Sequence, residues 1–143
     1  MRQRLGEPLP LEVQQLFAPF FPGFDLNRIR IFEGIPRYVI AKPIGYADRN
    51  RIYLADGYYR VDTAEGLALI AHEITHCRQY QKHGAWRFRV KYLAAYFKNR
   101  RSGMPHDQAY LKIPFEIEAR EVERKVYAAM TQWQSRLNTS STQ

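Results

Sequence analysis

The feature that most constrains this chain is the segment from Gly66 to Tyr80, which contains the pattern H-E-x-x-H at His72, Glu73 and His76. Residues four apart lie one turn apart on the same face of an α-helix, so the two imidazoles can reach one metal ion. Glu73 directly follows the first histidine and can reach a water on that ion without being a ligand itself. The pattern is typical of zinc hydrolases and predicts a metal site with Glu73 as the general base.

The residues around this pattern predict the helix itself. Asp62 or Thr63 can cap its N-terminus, Glu65 suits the positive end of the helix dipole, and no proline interrupts the run to Gly84. Apolar residues recur at helical spacing and give the helix a buried side next to the histidines. These residues are Leu67, Ile70, Ala71, Ile74 and Cys77. We therefore expect the histidines to lie at the edge of a hydrophobic core.

Composition indicates one folded domain. The chain has 143 residues, 45% of them hydrophobic, and we expect the domain to cover residues 1–134. Residues 135–143 are rich in Ser, Thr and Asn and are predicted to form a disordered tail. The sequence contains neither an apolar run long enough to cross a membrane nor a signal peptide, and its single cysteine suits a reducing compartment. A cytoplasmic location is expected, unless a dedicated injection or secretion system exports the protein.

Short strand and helix signals precede the motif helix. A short helix is predicted between Pro8 and Phe21, where Pro19 and Pro22 end it. Strands are predicted at residues 28–32, 38–41 and 51–55, and residues 45–50 read as a turn.

Helices are predicted after the motif. Gly84 is expected to cap the motif helix, and a second helix is predicted from Ala85 to Arg101. A short helical turn is expected at residues 106–111, followed by a last helix from Pro114 to about Trp133. This order predicts an α+β domain in which a small sheet packs on the motif helix and further helices follow.

A catalytic zinc ion usually has a third protein ligand, with water in its fourth position. One class of enzymes takes it from the pattern H-E-x-x-H-x-x-G-x-x-H, but here Gln79 replaces the glycine and Lys82 replaces the last histidine. The alternative is a glutamate from the helix that begins at Pro114, with Glu116 and Glu118 as candidates. Two positions apart on a helix, these side chains point in different directions, so only one can face the metal.

The segments His72–His76 and Phe115–Arg120 together resemble the glutamate-zincin pattern, in which a glutamate on a following helix is the third ligand. This resemblance implies that His72, His76 and Glu116 bind Zn²⁺. The aspartate position of the pattern falls on Arg120. The carboxylate that orients a ligand histidine must therefore come from elsewhere or be missing.

A broader resemblance covers residues from about 8 to about 126. The segments Leu16–Ile31, Asn50–Leu54 and Gly66–His76, with Gln79 following, are similar to the metallopeptidase-type domain of unknown function that accompanies extracellular contractile injection systems. Members of that family have a strand-rich entry and a helix reading L-x-A-H-E-x-x-H-x-x-Q. The resemblance implies a minimal zincin-like domain.

A zinc metallopeptidase is the function that these resemblances imply. Glu73 would take a proton from water and pass it to the leaving amine of a peptide or protein substrate. A donor for the oxyanion, or another substrate contact, is expected as well. The candidates are Tyr110, His106, Tyr80 and Arg120, and the sequence does not choose between them.

A second hypothesis starts from charge. The formal net charge is +8, and residues 78–101 contain eight Lys and Arg residues and no acidic residue. The helix Ala85–Arg101 is therefore basic, and it is also rich in aromatic residues. Such a helix can either pack its aromatic residues on the domain or lie on an anionic membrane. The alternative function is a non-catalytic zinc-containing scaffold that binds an anionic membrane or a protein partner through this helix. Specific nucleic-acid recognition is not expected, since no DNA-binding or RNA-binding signature is present, and the sequence does not indicate an oligomeric state.

Overall fold

The computed structural model describes residues 6–140, in which four strands and five α-helices form an α+β fold. The strands are β1 (Glu7–Pro8), β2 (Arg30–Glu33), β3 (Gly45–Asp48) and β4 (Arg51–Leu54). The helices are α1 (Leu11–Phe17), α2 (Ala64–His83), α3 (Ala85–Arg101), α4 (His106–Leu111) and α5 (Pro114–Ser140). The predicted fold class is therefore confirmed.

The sheet is small and mixed, with the strand order β1-β2-β4-β3. β2 and β4 run parallel, while β1 and β3 each run antiparallel to their neighbour. Side chains alternate between the two faces, so one face joins the core and the other carries aromatic rings. The core face presents Ile31, Ala47, Ile52 and Leu54, and the other face presents Phe32, Tyr46 and Tyr53.

One predicted strand is wrong, and one observed strand lies where a turn is predicted. Residues 38–41 form turns, and the Val39 N–H donates to the Pro36 C=O at 3.0 Å. Prolines at 36 and 43 flank this segment, and Ile40 is 93% exposed, so its apolar residues do not extend the sheet. Residues 45–48 form β3 instead, and only residues 49–50 make the tight turn into β4.

Helix ends differ from the sequence predictions near both ends of the chain. Helix α1 covers only Leu11–Phe17 and continues as a 3-10 turn at Ala18–Phe20, because Pro19 cannot extend an α-helix. At the other end α5 continues to Ser140, whereas the sequence predicts disorder from residue 135. Neither glycine nor proline interrupts α5 after its first residue. Residues 1–5 and 141–143 lie outside the described part of the chain.

Helix α2 packs on the sheet, as predicted, and also on α5. Thr63 caps its N-terminus, accepting a hydrogen bond from the Gly66 N–H at 3.0 Å. Gly84 ends the helix with a φ of 81°, and its N–H donates to the Tyr80 C=O at 2.8 Å. The predicted apolar side of α2 is buried in the hydrophobic core, where it packs with apolar residues of the sheet and of α5. The members from α2 are Ala64, Leu67, Ile70, Ala71, Ile74 and Cys77, and those from α5 are Val126 and Met130.

None of the helices within residues 6–140 combines the length and the apolar character needed to cross a lipid bilayer.

Candidate metal centre

The two histidines of the motif lie side by side on α2. Their rings stand 5.0 Å apart between centroids, as expected for residues one helical turn apart. The His76 side chain is 9% exposed and the His72 side chain 13% exposed, so both lie at the edge of the core. This arrangement confirms that the sequence pattern lies on a helix and that both imidazoles share one face.

Helix α5 brings a carboxylate between these two imidazoles. One oxygen of Glu116, Oε2, lies 3.2 Å from His72 Nε2, and the other, Oε1, lies 3.0 Å from His76 Nε2. The Glu116 side chain is only 4% exposed. One donor atom from each of the three side chains lies within 4.8 Å of the others, so the group could hold a metal ion. Two nitrogens and one oxygen are the donor set of many catalytic metal sites that keep a position for water.

The electrostatics of the group favour positive charge at its centre. Burial alone would raise the pKa of Glu116, but hydrogen bonding to His72 and His76 holds that pKa well below its usual range. Burial likewise disfavours a charged imidazole, yet Glu116 and Glu123 together raise the pKa of His72 to about 10. The pKa of His76 is raised in the same way, against the effect of burial, chiefly by Glu116. Protons or a metal ion can supply this positive charge, and the two compete for the same nitrogens.

Each histidine is also held by its second ring nitrogen. Nδ1 of His72 donates to Glu123 Oε2 at 2.9 Å, and Nδ1 of His76 donates to Gln79 Oε1 at 2.8 Å. The amide nitrogen of Gln79 in turn donates to the backbone C=O of Phe115 on α5 at 3.0 Å. These bonds leave Nε2 of each ring facing Glu116. An orienting partner of this kind fixes the tautomer and strengthens a metal-ligating histidine.

Glu123 is the orienting carboxylate that the sequence reasoning missed. The glutamate-zincin resemblance places that role at position 120, where this chain has arginine. Glu123 follows Glu116 by seven residues, or two helical turns, and therefore lies on the same face of α5. That spacing of two glutamates is the sequence signal that could have identified it.

Replacing Glu123 by glutamine is expected to weaken metal binding about 10-fold to 100-fold, because His72 loses the charged acceptor that orients it. Competition with a chromophoric chelator would measure the change in affinity. Glu121→Gln is the matched control, since Glu121 is an exposed residue of the same helix that pairs with Lys125 at 3.3 Å. Equal affinity in the Glu123 variant and the wild type would contradict the role given to Glu123.

Glu73, the predicted general base, lies in a cleft of about 570 Å³ that His76 and Glu116 also line. Burial raises the pKa of Glu73, while the nearby imidazoles of His76 and His72 oppose the shift. Its carboxylate packs against Gly45 of β3, where a Cβ atom would come within 2.6 Å of Oε1. Glycine at position 45 therefore leaves the room that Glu73 occupies between α2 and the edge of the sheet.

Two tyrosines approach Glu116 from the cleft. The Tyr92 hydroxyl donates to Glu116 Oε1 at 3.0 Å, a contact that the sequence reasoning did not foresee. Tyr110 lines the same cleft, and Glu116 and Tyr92 both affect its titration. Burial, followed by the negative charge of Glu116, raises the pKa of both phenols. Both hydroxyls therefore stay protonated at neutral pH and can donate hydrogen bonds.

The other predicted site residues are distributed more widely. Tyr80 and His106 both line the cleft. Each also has another side-chain partner: His106 Nδ1 lies 2.7 Å from the Tyr96 hydroxyl, and the Tyr80 hydroxyl interacts with the Arg89 side chain. Arg120 lines a separate depression, and its guanidinium donates to the backbone C=O of Leu111.

Glu118, the alternative third ligand, does not join the metal group. Its carboxylate is half exposed and lies 3.4 Å from the Arg78 guanidinium. Two positions along a helix correspond to more than half a turn, so Glu118 points away from the face that carries Glu116.

Comparison with known proteins gives a family match. The family model of the eCIS core domain matches residues 8–84, which is more than half of the 143 residues. The matched range contains β2, β3, β4 and α2, with its two histidines and Glu73, whereas Glu116 and Glu123 lie beyond it. No curated protein and no solved structure matches the chain.

Proposed function

This chain belongs to the eCIS core domain family, and on that premise we propose that it is a zinc-dependent metallopeptidase. The observation that carries the proposal is the buried group of His72, His76 and Glu116, with Glu73 beside it in the cleft. A nitrogen-rich set of three donors suits Zn²⁺ better than Mg²⁺ or Ca²⁺, which prefer oxygen ligands alone.

The residues around the cleft can be assigned roles in peptide hydrolysis. When bound, zinc would supply Lewis acidity, which makes a water molecule more acidic and a peptide carbonyl more electrophilic. Glu73 accepts a proton from the attacking water and passes it to the leaving amine. Burial raises the pKa of Glu73 above its ordinary value, and a carboxylate with a raised pKa is a stronger base for this proton. We assign the oxyanion donor to Tyr110, since this residue lines the cleft and its hydroxyl stays protonated.

The cleft is suited to an extended peptide. β3 is the last strand in the sheet order, so within residues 6–140 its outer edge has no strand partner. Gly45, Tyr46 and Ala47 of this strand line the cleft, and Leu93 and Phe88 provide apolar surface on the α3 side. An extended chain can add to such an edge through backbone hydrogen bonds, while alternate side chains enter the cleft. We therefore favour a peptide or unfolded protein segment as the substrate.

The family assignment also suggests the setting in which this activity is used. The sequence resemblance connects the domain with extracellular contractile injection systems, and the matched family is the eCIS core domain. We propose that the protein acts in the context of such a system, as a component or as a delivered protein.

Metal removal tests the proposed function most directly. Protein purified without a metal-affinity tag is expected to contain about one zinc ion per chain and to cleave members of a peptide library, detected by mass spectrometry. Chelation should abolish cleavage, and added zinc should restore it. Absence of zinc even after it is supplied, or cleavage that survives complete chelation, would contradict the proposal. Zinc binding without cleavage of any peptide would support the non-catalytic scaffold instead.

A further inference from the structure

Helix α3 carries two apolar stripes, and only one of them faces the protein. Phe88 is buried, and its ring lies 4.2 Å from that of Tyr80 between centroids. Near the other end of the helix, the Asn99 side-chain amide donates to the backbone C=O of Ala109 at 2.9 Å. Between them Tyr92 reaches the metal group. These contacts fix the rotation of α3 about its own axis, so the opposite stripe faces outward.

The outward stripe consists of large apolar side chains at helical spacing. Trp86 is 78% exposed and Phe97 is 57% exposed, and Val90 and Leu93 between them are about half exposed. At a rise of about 1.5 Å per residue the stripe is roughly 16 Å long. A continuous row of this kind on one helix face marks an interaction surface.

Basic residues border the outward stripe on both sides. The helix carries six Lys and Arg residues and no acidic residue. At 100° per residue, four of them fall along one edge of the stripe and two along the other. The first edge has Arg87, Lys91, Lys98 and Arg101, and the second has Arg89 and Arg100. Arg89 pairs with Asp48 at 2.8 Å, and the other five keep the surface strongly positive.

We propose that α3 docks on the surface of an anionic lipid bilayer. The outward stripe would enter the boundary between headgroups and acyl chains, and the basic side chains on both edges would contact lipid phosphates. With 17 residues and this charge, the helix lies in the plane of the membrane rather than across it. A protein partner would need an apolar groove with acidic residues along both rims, whereas an anionic bilayer offers apolar and negative surface together.

Docking would also orient the cleft. Leu93 of the outward stripe and Arg89 of its second edge both line the cleft. The mouth of the cleft would therefore open beside the bilayer. Resting on the peptidase function proposed for this site, the inference is that it acts on peptides presented at a membrane surface.

Sedimentation with lipid vesicles tests this proposal. The full chain would be mixed with vesicles of phosphatidylcholine alone and of phosphatidylcholine with phosphatidylglycerol, on a Trp133→Phe background that leaves Trp86 as the fluorescent reporter. We expect binding to the anionic vesicles, a blue shift of Trp86 emission, and weaker binding as salt is raised. Absence of binding to both vesicles, or equal binding to both, would overturn the proposal; absence would direct attention to a protein partner.

Matched variants separate the effect of the basic residues on α3 from the effect of net charge alone. The triple variant Arg87→Glu, Lys91→Glu, Lys98→Glu is expected to lose about a hundredfold or more in vesicle binding. A control with the same charge change on exposed residues outside α3 is Lys112→Glu, Lys125→Glu, Arg136→Glu. Equal losses in the two triple variants would overturn the role of α3.

The apolar contribution is tested in the same assay. Trp86→Ala with Phe97→Ala should weaken vesicle binding, whereas Leu11→Ala with Ile117→Ala, also exposed, should not. Circular dichroism and zinc content would confirm that each variant is folded. Unchanged binding of a folded Trp86→Ala, Phe97→Ala variant would contradict insertion of the outward stripe.

Discussion

Replacing Glu73 by glutamine is expected to lower kcat/KM for peptide cleavage by about a hundredfold to ten-thousandfold while zinc remains bound. Glutamine has nearly the same shape and fits the space against Gly45 that the carboxylate occupies. It cannot accept a proton from water, so the general base is lost without a change in the metal group. The measurements are cleavage rates on an identified peptide and zinc content on the same samples.

Glu65→Gln is the matched control for this substitution. Glu65 is an exposed carboxylate in the first turn of the same helix, away from the cleft lining. Its removal changes the net charge of α2 equally but should leave cleavage unaltered. Full activity in the Glu73 variant would refute its role as base, and loss of zinc from that variant would show that Glu73 supports the metal instead.

Loss of a ligand is expected to have the largest effect on metal binding. His76→Ala removes a nitrogen donor, and Glu116→Gln removes the charge of the oxygen donor. Each substitution should therefore reduce zinc affinity by more than the 10-fold to 100-fold typical of residues that only hydrogen-bond to a ligand. Glutamine is preferred at position 116 because it can keep the hydrogen bond from Tyr92. The stabilisation that zinc gives against heat should disappear in both variants, since metal binding and folding are coupled.

Two neighbouring residues provide controls for the ligand variants. Glu118→Gln removes an exposed carboxylate two positions further along α5, and His106→Ala removes an exposed histidine. Elemental analysis should find wild-type zinc content in both. If Glu118→Gln released zinc and Glu116→Gln did not, the third ligand would be Glu118, and the position of Glu116 between the two imidazoles would not be that of a ligand.

Much of the fold follows from short-range signals in the sequence. The side chain of Thr63 caps the start of α2, and the backbone freedom of Gly84 allows the helix to end there. The spacing of the apolar residues between them indicates which side of the helix is buried. Both features depend on residues a few positions apart, so they can be read without the tertiary structure. The strands were harder to predict, because residues 38–41 are apolar but lie between prolines, while β3 is stabilised by pairing with β4.

The sequence by itself determined that His72, Glu73 and His76 share one helix and one site, because helical geometry relates residues one and four positions apart. It narrowed the candidates for a third metal ligand to two glutamates of a later helix. Only the tertiary structure decided that Glu116 lies between the imidazoles and that Glu123 holds the ring of His72. Those choices depend on how α5 packs against α2, and that packing is decided jointly by many buried side chains distant in sequence.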